Sequence, residues 1–116
     1  NQWYREVLMD VPGITFHTEP SHDFFSNYWL TCILIDPKQS GNDREKVRLA
    51  FEAENIEVRP LWKPMHLQPV SAECRAYVNG TSESFFNNGL CLPSGTSLTE
   101  EQMLRIEEVL RREFKQ

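Results

Sequence analysis

The stretch Tyr28-Trp29-Leu30-Thr31-Cys32-Ile33-Leu34-Ile35 decides the fold. It is almost continuously apolar and rich in aromatic and β-branched residues, the composition of a strand rather than of an amphipathic helix. Such a strand is central and largely covered. Asp36-Pro37 stops it, because proline lacks the N–H a ladder needs and restricts the residue before it. A polar loop is predicted from there to Asn42.

Upstream, Gln2 to Asp10 reads as a helix with Trp3, Val7 and Leu8 on one side, ended by Pro12-Gly13, and Ile14 to Phe16 as a short strand. The first helix has no N-cap signal, as if the chain were cut from something longer. Downstream, Asp43 is an N-cap, and Val47, Ala50, Phe51 and Glu54 follow at helical spacing, with Asn55 placed for a left-handed C′ position. Ile56 to Arg59 alternates apolar and polar, predicting a half-buried strand beside the first. Pro60, Pro64 and Pro69 brace an extended loop. Thr81 to Asn88 is a short helix closed by Gly89, and Leu90-Cys91-Leu92 a short strand ending at Pro93.

The last helix carries the most signals. Thr99 and Gln102 form a capping box with Leu98 and Met103 at the staple positions. Met103, Ile106, Leu110 and Phe114 share a face. Glu101–Arg105, Glu107–Arg111 and Glu108–Arg112 are i,i+4 pairs in the favourable order. The predicted fold class is α/β (α+β): a two-layer domain with a small mixed or antiparallel sheet and helices on one face.

A chain of 116 residues makes a single domain and buries roughly two thirds of its unfolded surface. At 40% hydrophobic and 25% charged residues it is neither disordered nor collagenous nor a disulfide miniprotein. Twelve basic against 17 acidic residues give a net charge of −5, which disfavours nucleic acid as a partner. No apolar run approaches the ~20 residues of a membrane helix, and the first ten residues read as a polar-faced helix rather than a signal peptide. The expected location is cytoplasmic, with Cys32, Cys74 and Cys91 as reduced thiols in small core positions.

Several groups carry side chains capable of chemistry. His17 and His22 flank an acidic loop, but their spacing fits no zinc pattern, and no metal site is expected. Ser94-Gly95-Thr96-Ser97 has the position of an anion-binding turn without the lysine of a phosphate loop; a plain strand-to-helix turn is the alternative. A Cys91–His66 nucleophile pair has no motif behind it. The segment Arg59 to Pro69 (RPLWKPMHLQP) is the strongest candidate. Its Arg, Lys and His suit phosphate or sugar hydroxyls, its Trp a flat ring, and its prolines lower the entropy cost of holding them in place. The alternative is a structural loop with Trp62 and Met65 packed inward.

That segment resembles the signature near the C-terminus of the DegT/DnrJ/EryC1/StrS family of PLP-dependent nucleotide-sugar aminotransferases. Ser26 to Ile35 (SNYWLTCILI), Glu52 to Val58 (EAENIEV) and Gly89 to Glu101 (GLCLPSGTSLTEE) agree with the family in order and spacing. The resemblance implies a C-terminal small domain like that of fold-type I aminotransferases, residues 1–116 of a longer enzyme. It also implies that the PLP-binding large domain, with its Schiff-base lysine, lies outside this stretch of sequence. Of Lys38, Lys46, Lys63 and Lys115, none sits where the family's cofactor lysine does, so no catalytic residue and no cofactor are expected on this chain, which alone should be inactive. The resemblance further implies a nucleotide-sugar substrate contacted by His66, Lys63, Trp62, Arg59 and Gln68. It implies an amino donor such as glutamate, a role in polysaccharide or glycan biosynthesis, docking on the enzyme's own large domain and a homodimer when full-length. A free-standing, non-catalytic binding or association module of the same fold is the alternative. Phe24, Phe25, Trp29, Trp62 and Met65 are expected to be exposed where the large domain would sit.

Overall fold

Four short strands build the sheet that carries everything else. The structure is a computed structural model and describes residues 1–114; Lys115 lies outside the described residues. The strands are β1 (Ile14–Phe16), β2 (Thr31–Ile35), β3 (Arg59–Pro60) and β4 (Gly89–Leu92), in the order β1-β2-β4-β3 with every pairing antiparallel. The helices are α1 (Gln2–Leu8), α2 (Pro37–Ser40), α3 (Arg44–Ala53), α4 (Thr81–Asn88) and α5 (Glu100–Phe114).

The alternation along β2 sorts the two faces. Thr31, Ile33 and Ile35 are buried, whereas Cys32 and Leu34 between them are partly open. On the covered face Ile33, Ile35, Leu90 and Leu92 meet Tyr4, Val7 and Leu8 of α1, Val47 and Phe51 of α3, and Ile106, Val109, Leu110 and Phe114 of α5. Each such apolar side chain contributes roughly 1.5–3 kcal/mol on burial. The element α4 adds nothing to this core. Its Phe85 ring packs edge-to-face with the His17 ring at 5.8 Å.

Local chemistry explains the element ends. The Asp43 side chain accepts from the Lys46 N–H at 2.8 Å, opening α3, and Asn55 closes it at φ 56°. At α5 the capping box is reciprocal: Gln102 N–H donates to Thr99 Oγ1 at 3.3 Å, and Thr99 N–H donates to Gln102 Oε1 at 3.0 Å. Burial of Tyr4 leaves its hydroxyl one partner, the Pro93 carbonyl at 2.7 Å, and pushes its pKa above the usual tyrosine range.

Several expectations need correction. The central strand starts at Thr31, not Tyr28. Tyr28 sits at φ 50° with Trp29 exposed beyond it, because Ser26 and Asn27 side chains accept the N–H groups of Tyr28 and Trp29 and bend the chain. The segment 37–42 is not all loop. Asp36 caps the Lys38 N–H at 2.9 Å and Pro37 takes the first helical position of α2. The strand predicted at Ile56 to Arg59 shrinks to Arg59–Pro60, and it pairs with β4 rather than with β2. The proline segment is extended only as far as Pro64, and two 3₁₀ turns follow at Met65–Leu67 and Pro69–Ser71. Met103 is half-buried, and Val109 takes the core place. Cys74 is exposed rather than a core residue.

Two arginines of α5 leave their predicted partners. Arg111 pairs with Glu107 at 2.7 Å as expected, but Arg105 donates to the Glu54 carbonyl at 2.7 Å and Arg112 reaches the Glu54 carboxylate at 3.0 Å. Glu54 closes α3, where free carbonyls and the helix dipole attract cations.

Candidate functional site

The β3 edge of the sheet opens into a groove of about 1080 Å³. Its floor is Cys91 and Leu92 of β4, one wall is Arg48 and Glu52 of α3, and the other is the segment running from Glu57 through Lys63. The chain takes this path because Leu61 N–H donates to the Gly89 carbonyl at 3.1 Å, carrying the sheet pairing one residue past β3. Pro64, buried, then turns the segment away.

Of the five residues predicted as a substrate contact set, three line this groove. Arg59, Trp62 and Lys63 face it, with Trp62 66% exposed. The cations differ in availability. Arg48 is held by Glu45 at 2.8 Å and by Glu52 at 2.7 Å, and these carboxylates raise its pKa further. Arg59 is paired with Glu57, its Nε 2.7 Å from Oε1. Lys63 has no ion pair among the described residues, which leaves its ammonium free for an anion, next to an indole face that suits a planar ring.

The other two stand outside the groove and hold the segment in shape. His66 Nε2 lies 2.7 Å from Glu83 Oε1 of α4, with side chains 20% and 25% exposed. The N–H of Glu83 itself and the His66 ring both hold that carboxyl below the usual carboxylate range. Gln68 donates to the Lys63 carbonyl at 3.1 Å, closing the turn from inside. Sequence reasoning missed Glu83. Its only signal was an acid in the first turn of a predicted helix, and nothing local points from there to a residue 17 positions earlier.

The remaining candidates resolve simply. Ser94 Oγ accepts from Thr31 N–H at 2.8 Å and donates to the Leu92 carbonyl at 2.9 Å, so its hydroxyl ties the turn to β2. Cys91 meets Cys32 rather than His66. His22 is exposed near Asp23, and among the described residues no three metal-ligating side chains converge.

A four-stranded antiparallel sheet with this helical cover and edge groove is an α/β domain of the kind seen in aminotransferases of known structure. The solved structure of DesV from S. venezuelae superposes with a TM-score of 0.79 at 25% identity, covering 99% of this chain and 30% of DesV. The chain belongs to the DegT/DnrJ/EryC1/StrS aminotransferase family, which it matches over residues 1–111. Among curated proteins, EpsN of Bacillus subtilis (strain 168) is 40% identical over 111 residues, covering 92% of this chain and 28% of EpsN; its name places it among pyridoxal phosphate-dependent aminotransferases. GDP-perosamine synthase of Vibrio cholerae is 32% identical over 114 residues, covering 96% of this chain and 30% of that protein. The chain thus spans somewhat under a third of the length of the curated relatives it matches.

The groove does not fit a resident pyridoxal phosphate. An internal-imine lysine is usually tuned by a desolvated setting or a second cation, and the phosphate by a ring of backbone donors. Lys38, Lys46 and Lys63 are all exposed, and the groove is open and flanked by Glu52 and Glu57. What the groove can offer is a free ammonium, a guanidinium and an indole to a bound molecule.

Proposed function

We propose that this chain is the C-terminal small domain of a pyridoxal phosphate-dependent aminotransferase that passes an amino group to a nucleotide-linked keto-sugar. The observation that carries the reading is the family match along residues 1–111 together with the Arg59, Trp62 and Lys63 groove. In this reading the large domain of the same enzyme holds the cofactor, which accepts the amino group from a donor such as glutamate. The small domain closes one side of the cleft. Lys63 meets a phosphate oxygen of the nucleotide sugar, Trp62 covers a ring face, and Arg59 divides its guanidinium between Glu57 and the substrate. His66 and Gln68 act by contact with the sugar or by fixing the segment that makes it. The full-length enzyme is a cytoplasmic homodimer serving polysaccharide or glycan biosynthesis.

The exposed side chains of Phe24, Phe25, Trp29, Trp62 and Met65 support a covered surface in the parent protein; Phe25 is 91% exposed and Trp29 72%. The same side chains favour the second reading, an association module whose partner covers them.

The test separates two half-reactions in the full-length protein. Glutamate should change the absorbance of the bound cofactor, and a nucleotide-linked keto-sugar should restore it. Restoration by a small keto acid but not by any nucleotide keto-sugar overturns the substrate class. In parallel, borohydride reduction of the 116-residue chain mixed with pyridoxal phosphate should label no single lysine. Stoichiometric labelling at Lys63 would place the cofactor here instead.

A further inference from the structure

Cys32 and Cys91 occupy directly opposed positions on the two central strands. The His17 N–H donates to the Cys32 carbonyl at 3.1 Å, so the polar groups of Cys32 point toward the β1 side. Toward β4 the Cys32–Cys91 pair is therefore of the non-hydrogen-bonded type, in which facing side chains come closest. Both side chains lie on the face away from the core, with their sulfurs 3.7 Å apart. Typical Cα separations for such a pair fall within the range a disulfide spans.

We infer that Cys32 and Cys91 are a peroxide-oxidisable pair that closes a reversible cross-strand disulfide between β2 and β4. Their unequal burial divides the work. Cys32 is half-open and reachable by a small oxidant, while Cys91 is 7% exposed and reachable chiefly by its neighbour. The sulfur contact with Cys91 also favours the Cys32 thiolate, lowering its pKa below the usual thiol range.

The chemistry balances with hydrogen peroxide as the oxidant. The Cys32 thiolate attacks one peroxide oxygen, the O–O bond breaks, and the departing hydroxide takes a solvent proton to become water. Cys32 is left as a sulfenic acid. The Cys91 sulfur attacks the Cys32 sulfur, the S–O bond breaks, and the hydroxide leaves as water with the Cys91 proton. Two thiols lose two electrons and one peroxide is reduced to two waters. A dithiol reductant reverses the step by exchange.

The exposed Cys74 lies outside the pair, so the experiment uses the full chain as Cys74→Ser. The folded protein is treated with a small excess of hydrogen peroxide, free thiols are alkylated, and peptides are weighed. The expected result is one linked peptide joining Cys32 to Cys91, lighter by two hydrogens, with both thiols lost together and restored by dithiothreitol. Adding Cys91→Ser should arrest Cys32 at a sulfenic acid that dimedone traps. The inference fails if Cys32 proceeds to sulfinic acid while Cys91 still alkylates. It fails equally if both thiols alkylate fully after peroxide, or if the link forms only in denaturant.

Discussion

His66 Nε2 and Glu83 Oε1 meet at 2.7 Å and tie the segment after β3 to the first turn of α4. The contact joins the segment that leads out of the groove wall to α4. It also makes Glu83 sensitive to acid. Its pKa is depressed first by its own N–H at the helix start and then by His66. A carboxyl held low in the folded state contributes stability above its unfolded pKa, about 4.3 for glutamate, and that contribution is lost as pH falls through the lower folded value. Glu83→Gln should therefore lower the melting temperature near neutral pH, and the difference from the parent should be smaller at about pH 3, below the unfolded pKa and on the way to the lower folded value. Thermal unfolding followed by circular dichroism at the two pH values checks it; an equal deficit at both would mean that the charge contributes nothing.

The same contact bears on the enzyme. In the full-length protein His66→Ala should cost about 1–3 kcal/mol in the keto-sugar half-reaction, the range for one hydrogen bond to a polar group. The glutamate half-reaction should be unchanged. Glu83→Gln distinguishes two ways His66 can act. If His66 fixes the Lys63–Trp62 segment through Glu83, the glutamine variant should reproduce part of the loss, read as a raised KM. If His66 touches the sugar itself, His66→Ala should lower kcat/KM well beyond the glutamine variant. Loss confined to the glutamate half-reaction would put this segment on the wrong side of the cleft.

The residues that announced themselves were those whose partners are near in sequence. Asp43, the Thr99–Gln102 box and the bounds of α4 came out as read, since caps and helical spacing act within a few positions. The errors have a common physical source, competition from distant or side-chain partners. Tyr28 and Trp29 read as strand, but Ser26 and Asn27 take their N–H groups. Arg105 and Arg112 had acids one turn away, but the end of α3 offered Glu54. Ile56 to Arg59 alternated as a strand does, yet β4 reaches only Arg59 and Pro60. In the candidate site the residue types were legible from the clustering of Arg, Trp, Lys and His between prolines. Their division into groove-facing and bracing sets was not, because it depends on Glu83, on Glu57 and on the path set by the Gly89 carbonyl.

Tyr4 links α1 to the end of β4 through its hydroxyl and the Pro93 carbonyl. The phenol is buried, so removing the oxygen leaves an acceptor without its donor. Tyr4→Phe should cost about 1–3 kcal/mol, the range for a buried group deprived of its partner. Chemical denaturation should show a lower midpoint with an unchanged slope, because the surface exposed on unfolding is the same. An unchanged midpoint would mean that water replaces the hydroxyl without loss.

Gly89 is placed where no side chain fits. It closes α4 and opens β4 at once, and its carbonyl holds Leu61 on the groove wall. A Cβ there would run into the Leu61 side chain and into the Phe85 carbonyl. Leu61 has a flexible side chain and can rotate. The Phe85 carbonyl cannot, since it accepts the Gly89 N–H that caps the helix. Relief must come from moving α4 or β4, and forcing an extra carbon into a packed site costs about 1–3 kcal/mol. Gly89 has φ −96°, a conformation open to any residue, so the effect is one of space and not of backbone strain. Gly89→Ala should thus lower the unfolding free energy by that amount. It should also loosen the groove wall, read as faster amide exchange at Leu61, whose N–H depends on the Gly89 carbonyl. Gly41→Ala is the matched contrast: a Cβ there meets no atom within 4 Å, but φ is 73°, so its cost is the left-handed backbone penalty of about 1–2 kcal/mol with Leu61 exchange unmoved. If Gly89→Ala leaves Leu61 exchange unchanged while stability falls, the clash is absorbed within α4 and the groove wall does not depend on this glycine.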